Sequence, residues 1–144
     1  MEKELINSIL ELQEKKEPYS YLVSESELKR GRGRVKAVVA HNQNLGYIIL
    51  KGSIIANEPT SLENYPNTYN LWIKLKKEGY LVDNLFVKNY NFGKISQSAI
   101  ARIVFLASRN NAQAFTVCGE KENKGQGKYL KAEDAIKKIL KLEL

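Results

Sequence analysis

The sequence predicts an α+β fold: a small antiparallel sheet packed with three helices and preceded by an N-terminal amphipathic helix. Three observations lead to this class. Residues 34–53 carry β-branched runs on both sides of a turn rich in asparagine and glycine, which is typical of a hairpin. Three later segments place apolar residues at helical spacing. The first sixteen residues gather leucine and isoleucine on one side of a helical wheel.

The N-terminal segment, residues 2–16, is predicted to form an amphipathic helix that ends before Pro18. Its apolar stripe must pack either on the rest of the chain or on a partner. The following "YSYLV" has the composition of an extended strand. The stretch "SESELKRGRGR" is predicted to be a connector, because Gly31 and Gly33 separate its arginines.

The body is predicted to open with the hairpin "RVKAVVAHNQNLGYIILKGS" and to continue through a surface loop that contains two prolines. Apolar spacing then predicts a helix over Thr68–Glu78, with Gly79 at the position of a C-terminal glycine. The segment "YLVDNLFVKNYNF" predicts one or two strands with a turn near Asp83 and Asn84.

The alanine-rich segment "FGKISQSAIARIVFLASRNNAQAF" predicts a helix with Ser96 or Ser98 as its N-cap. The helix is apolar around most of its circumference, which indicates burial on more than one face. Residues 112–130 predict a strand with a polar, glycine-rich loop. Residues 131–143 predict a closing amphipathic helix that presents Lys137, Lys138 and Lys141 to solvent.

Length and charge indicate one domain with an appendage. At 144 residues the chain can bury one core. We expect residues 1–28 to form the amphipathic helix and an acidic extension, and residues 29–144 to form a single basic α+β domain. The net charge is +7, divided into −4 for residues 1–28 and +11 for the remainder. A field of this size and sign is expected of a protein that meets phosphate backbones.

Composition argues against several classes of site. The chain has one cysteine, Cys118, and one histidine, His41, so it can form neither a disulfide framework nor a zinc cluster of these residues, and we expect no metal or other cofactor. The carboxylates show no clustered pattern, which favours a protein that is not an enzyme. No apolar run is long enough to span a membrane, and the N-terminus is unlike a signal peptide. We therefore expect a cytoplasmic protein without membrane contact.

The run "KRGRGR" is the first candidate for binding phosphates. Guanidinium groups can hold phosphate oxygens bidentately, and the interleaved glycines allow the backbone to approach them. A solvated linker is the alternative interpretation. The adjoining positive charge of the body favours binding.

A family resemblance rests on three stretches taken in order: "YIILKGS" at residues 47–53, "SQSAIA" at residues 96–101 and "SRNN" at residues 108–111. Over about residues 34–117 the chain resembles a small domain family of unknown function that is often appended to GIY-YIG-type nucleases and to restriction-modification proteins. It looks like a relative of the domain associated with restriction enzymes and adenine methylases. The resemblance implies an α+β fold and work beside a restriction-modification system.

Together these patterns predict a non-enzymatic module that binds nucleic acid, DNA rather than RNA, beside a restriction-modification or other defence or counter-defence system. The predicted contacts are basic and polar side chains: Lys29, Arg30, Arg32, Arg34, Lys36, Ser96, Ser98, Arg109, Asn110, Asn111, Lys137, Lys138 and Lys141. The alternative is a protein-interaction module, an adaptor or inhibitor of a nuclease or methylase. It would dock through its basic face and through the N-terminal stripe of Leu5, Ile6, Ile9 and Leu10.

Overall fold

A computed structural model of the protein describes residues 2–15, 17–108 and 129–141, with residue 141 described by its backbone alone. The predicted strand and glycine-rich loop of residues 112–130 lie almost entirely outside this range. No helix in the described range is long and apolar enough to cross a membrane. The elements, in chain order, are α1 (Glu2–Gln13), β1 (Ser20–Glu27), β2 (Arg34–Asn42), β3 (Gly46–Ile49), α2 (Pro66–Lys77), β4 (Leu81–Val82), β5 (Leu85–Phe86), β6 (Tyr90–Gly93), α3 (Gln97–Phe105) and α4 (Ala132–Lys141).

A four-stranded antiparallel sheet organises the chain. β2 and β3 form the predicted hairpin, with Val39 opposite Ile49. β1 pairs with the outer side of β2, and β6 pairs with the outer side of β3, so the strand order is β1-β2-β3-β6. β4 and β5 form a separate two-stranded ribbon. These strands, with the four helices found among the described residues, confirm the predicted α+β class.

The first strand extends further than the sequence pattern indicated. We predicted a connector from Ser24 and a boundary after Leu28, whereas β1 continues to Glu27 and pairs with β2 along its whole length. Only residues 28–33 remain for the connection. Ser24 is fully buried although its polar neighbours resemble a linker. Residues 20–27 therefore belong to the same sheet as the basic body.

Both faces of the sheet are covered, which explains the nearly uninterrupted apolar run of β2. On one face, which we call the α2–α3 side, Val39 packs in a cluster with Trp72 and Ile100. On the other face, the α1–α4 side, Val38 packs in a second cluster with Ile9. Neighbouring residues of β2 thus serve two different cores.

Helix α1 is built into the second core. Leu5 is 1% exposed and Ile9 is fully buried. The hydroxyl of Ser8 donates a hydrogen bond to the carbonyl oxygen of Lys51 at 3.0 Å. Burying one such aliphatic side chain stabilises the fold by about 1.5–3 kcal/mol. The helix therefore contributes to the stability of the whole domain.

This packing corrects the predicted docking stripe. Leu5 and Ile9 face the sheet, and Ile6 is partly buried against the same cluster. Only Leu10, at 49% exposure, is presented to solvent. An amphipathic helix looks the same in sequence whether its stripe meets its own body or a partner, and here it meets its own body.

Helix α3 forms as predicted. The hydroxyl of Ser96, the N-cap, accepts a hydrogen bond from the backbone N–H of Ala99 at 3.1 Å. Ile100 and Phe105 are fully buried and Ile103 is 1% exposed, and together these side chains cover about half of the helix circumference. The predicted burial on more than one face is confirmed.

The contact between β3 and β6 depends on Gly46. Its φ of +93° lies in the left-handed region, and a Cβ added there would overlap the carbonyl oxygen of Gly93. A side chain at this position would push β6 away from the sheet. The glycine therefore fixes where β6 and the residues that follow it lie.

Candidate nucleic-acid interface

Arg32, a predicted phosphate contact, is instead committed to the fold. Its Nη2 group donates to the carbonyl oxygens of Phe105 at 2.5 Å and Leu106 at 3.4 Å, where α3 ends. Its Nε group donates to the carbonyl oxygen of Glu58 at 3.2 Å. Burial lowers the pKa of Arg32, although the nearby Glu58 opposes this shift. The guanidinium closes the C-terminal end of the helix, so its assignment to phosphates is corrected.

Two further predicted contacts are held by carboxylates. Lys36 is 6% exposed and forms an ion pair with Glu2 of α1. It is therefore too buried to reach a phosphate, and its assignment is also corrected. Arg34 pairs with Glu25 at 2.5 Å, and this hydrogen bond raises the pKa of Arg34. Its side chain remains 49% exposed, so it is accessible but partly neutralised.

The remaining predicted residues are scattered. Lys29 and Arg30 are exposed in the connection between β1 and β2. Ser96 is exposed at the start of α3, whereas Arg32 lies at its end, and nine helical residues separate these ends by about 13 Å. Residues 109–111 lie outside the described range, which leaves Arg109, Asn110 and Asn111 unplaced.

Ser98 and the α4 lysines lie on helices that pack on opposite sides of the sheet. Ser98 is half-buried in the first turn of α3. Lys137 is exposed and Lys138 half-buried on α4, across the sheet from α3, while the Lys141 side chain lies outside the described part of the chain. Those predicted contacts whose side chains the structure describes are thus not gathered into one surface.

The structure packs a different set of aromatic rings, with two lysines over them, in or against the core of the α2–α3 side, and the sequence analysis missed this set. We call it the lysine–aromatic face and define it by Trp72, Lys76, Tyr80, Lys88, Tyr90 and Phe92. The ammonium of Lys76 lies 4.5 Å from the ring centre of Trp72. The ammonium of Lys88 lies 5.1 Å from the ring centre of Tyr80. Both distances are within the range of a cation–π interaction.

The aromatic rings of this face contact one another in a row. Tyr80 and Tyr90 have ring centres 4.8 Å apart, and Tyr90 and Phe92 have ring centres 5.0 Å apart. Both pairs are edge-to-face, the arrangement that the ring quadrupoles favour. Each of the three side chains is partly buried against the first core, which leaves part of each ring exposed.

Local structure places these rings. After α2, the backbone N–H of Gly79 donates to the carbonyl of Lys76, and that of Tyr80 donates to the carbonyl of Leu75. Gly79 has a φ of +82°, so the pattern is a Schellman motif, as the sequence predicted for this glycine. Antiparallel pairing sets Tyr90 opposite Ile49. Phe92 lies at an irregularity in this pairing, and its contact with the Tyr90 ring shows that it shares the side of Tyr90.

The segment that carries the face is basic. Residues 66–94 hold five lysines against two carboxylates, Glu78 and Asp83. Glu78 lies 4.0 Å from Lys74, and both side chains are about half exposed, so that pair screens little of the field. Ammonium groups attract phosphates, and exposed ring faces accept stacked bases. The five lysines of this segment are Lys74, Lys76, Lys77, Lys88 and Lys94.

A second feature lies at the end of the sheet where β2 turns into β3. A cavity of about 490 Å³, which we call the turn notch, is lined by Pro18, Tyr19, Ser20, His41, Asn42, Gln43, Asn44 and Tyr129. The imidazole of His41 lies 4.6 Å from the ring of Tyr47 and 5.1 Å from that of Tyr129. Burial lowers the pKa of His41, which favours its neutral form.

Another open cavity, of about 600 Å³, lies beside the start of α2 between Pro59 and Asn70. Within the described ranges, no group of three or more histidine, cysteine or acidic side chains could hold a metal ion. Comparison of this chain with protein-family models, with curated proteins and with solved structures found no match. The resemblance over residues 34–117 stays a prediction.

Proposed function

We propose that this protein is a non-enzymatic nucleic-acid-binding module that uses the lysine–aromatic face as its principal contact surface. The observation that carries the proposal is that two lysines lie over aromatic rings that pack in or against one core cluster. Lys88 lies over Tyr80, which begins the row of edge-to-face rings, and Lys76 lies over Trp72. Phosphates supply the charge that the ammonium groups attract, and bases supply flat surfaces that match exposed rings.

The placement of charge supports the same surface. The acidic residues 1–28 contribute α1 and β1, whereas the five lysines of residues 66–94 lie on α2, between β5 and β6, and directly after β6. A polyanion is therefore repelled less by the surface of α2 and β6 than by the surface of α1 and β1. Lys29, Arg30 and Arg34 would add contacts at the opposite end of the sheet, and Ser96 would add a neutral one.

The proposed biological setting rests on the resemblance alone. It implies DNA rather than RNA as the ligand, and a role beside a restriction-modification or other defence or counter-defence system. The adaptor hypothesis is not carried forward, because the stripe that motivated it is buried at Leu5 and Ile9.

A salt titration tests the proposal. We compare the wild type with the double variant Lys76→Gln/Lys88→Gln by fluorescence anisotropy, using a labelled 20-base-pair DNA duplex at several salt concentrations. Each lost phosphate contact should make the log–log slope shallower by about 0.9, so the double variant should lose about 1.8 in slope. Its affinity at low salt should fall by about tenfold or more.

The matched control is Lys3→Gln/Lys15→Gln, which makes the same change of net charge at two exposed positions of the acidic N-terminal segment. This control should leave the slope nearly unchanged. Equal effects of the two double variants would show that only net charge matters and would refute the assigned face. A wild type that binds neither DNA nor RNA at low salt would refute the function. Mg²⁺-dependent cleavage of the duplex would refute the non-enzymatic assignment.

A further inference from the structure

The turn notch has walls that are held in place by hydrogen bonds. Asn42, which is 2% exposed, accepts hydrogen bonds through its Oδ1 from the backbone N–H groups of Asn44 at 2.8 Å and Leu45 at 3.0 Å. Its Nδ2 group donates to the carbonyl oxygen of Pro18 at 3.0 Å. One buried amide therefore ties the β2–β3 turn to the segment that precedes β1. A preformed cavity of this kind pays little ordering entropy when it binds a ligand.

An aromatic wall of the notch is fixed in the same way. The hydroxyl of Tyr129 lies 2.7 Å from the hydroxyl of Tyr47, which is 6% exposed. Burial, together with the Tyr129 contact, raises the pKa of Tyr47, so the Tyr47 hydroxyl is protonated at neutral pH. The Tyr129 ring, 38% exposed, is thereby held beside His41.

The side chains that line the notch are uncharged, and many of them carry a planar aromatic ring or amide group. Tyr19, His41 and Tyr129 offer aromatic rings, and Gln43 and Asn44 add exposed amides at the rim. Amide side chains of this type can pair with the donor and acceptor edge of a purine. Glu17 lies close enough to raise the pKa of Tyr19 further, after the larger effect of burial. The Glu17 carboxylate disfavours the binding of an anionic ligand in the notch, whereas an uncharged aromatic ring could bind there.

The notch is also of suitable size. Small-molecule sites in proteins occupy about 300–1,000 Å³ and combine apolar or aromatic walls with a few polar groups. At about 490 Å³ the notch has room for one nucleobase with its sugar. A base that stacks on a side-chain ring inside the notch must first leave the stack of the duplex.

We propose that the turn notch binds one unpaired purine base, stacked against the aromatic wall of His41 and Tyr129 and read at its edge by Gln43 and Asn44. This inference rests on the proposed function, since the lysine–aromatic face would supply the affinity for the backbone. It adds a preference: the protein should select single-stranded or locally opened nucleic acid over a continuous duplex. The notch and the face make separable contributions, one dependent on the base and the other on salt.

The test uses three 12-nucleotide DNA probes: single-stranded dA, the same strand with one central abasic site, and the dA–dT duplex. The variant Gln43→Ala/Asn44→Ala changes only exposed side chains, and His41→Leu changes the aromatic wall. The wild type should bind the dA strand about tenfold more tightly than the duplex. Both variants should lose most of this preference and keep the wild-type salt slope.

A second measurement remains informative if His41→Leu destabilises the fold. A single 2-aminopurine in the dA strand should lose fluorescence on binding to the wild type, and the amide variant should weaken that binding-dependent quenching. Variants that keep the wild-type preference and quenching would overturn the notch assignment while leaving nucleic-acid binding intact. Loss of all binding with Lys76→Gln/Lys88→Gln, alongside unchanged base preference in the notch variants, would likewise support the face and overturn the notch. A wild type that binds all three probes equally would also overturn it.

Discussion

The two sides of the sheet solve the same packing problem with different outer surfaces. α1 seals the α1–α4 side with Leu5 and Ile9 and turns glutamates outward, whereas α2 seals the α2–α3 side with Trp72 and Leu75 and turns lysines outward. Either outer surface would satisfy the core beneath it. The fold therefore does not dictate the sign of the charge on each side, and that difference is where a function can be inferred.

The largest expected effect is on stability, and it distinguishes a buried side chain of α1 from an exposed side chain of α2. Ile9 of α1 is fully buried, and Ile73 of α2 is 42% exposed. Ile9→Ala should lower the free energy of unfolding by about 3 kcal/mol, because it leaves a cavity in the second core. Ile73→Ala should change it by less than about 0.5 kcal/mol.

Urea denaturation followed by circular dichroism measures both variants. Equal costs for Ile9→Ala and Ile73→Ala would mean that α1 is not packed as described. The comparison would then return the N-terminal stripe to consideration as a docking element.

A smaller effect concerns what stabilises the α2–α3 side. Arg32→Ala should cost about 2 kcal/mol, because hydrogen bonds from a charged donor to the carbonyl oxygens at the end of α3 are lost. Lys29→Ala, an exposed position in the same connection, is the control and should cost less than about 0.5 kcal/mol. Thermal unfolding measures both. A reversed order would show that the arginine run is a free basic surface after all.

The smallest effect is a pH dependence at the turn notch. His41 has a lowered pKa in the folded protein, whereas its unfolded value is about 6.5. Below about pH 6.5 the unfolded chain therefore takes up the proton more readily, so stability should fall as pH decreases. Because this is the chain's single histidine, His41→Gln should remove that component. Melting temperatures between pH 7.5 and 5.5 should fall less steeply for His41→Gln, and parallel curves would contradict the burial of His41.

Features that depend on neighbouring residues were predictable from the sequence. The β2–β3 hairpin, the Ser96 cap and the glycine after α2 each follow from a few consecutive residues. The roles of Lys36 and Arg32 could not be predicted in this way, because their partners lie 34 and 73 residues away in the sequence. A basic side chain in sequence shows its charge but not the carboxylate or carbonyl that holds it.

The lysine–aromatic face contains both kinds of contact: one between residues close in sequence and one between residues that only the fold brings together. Trp72 and Lys76 stand four residues apart in a predicted helix, so their contact could have been inferred from spacing. The contact of Tyr80 with Tyr90 could not, because it depends on how β6 is seated against β3. Trp72 itself lies in the core at 8% exposure, and the sequence analysis missed the cation above it.

The pairing of Lys76 with Trp72 also gives the protein an internal reporter. Trp72 is the single tryptophan of the chain, and its ring lies between the core and the lysine proposed to meet the ligand. Its emission is therefore sensitive to the loss of core packing and to any displacement of the ammonium. Folding and occupancy of the face can be followed in the same cuvette, on the unlabelled chain, without introducing a dye at the surface under test.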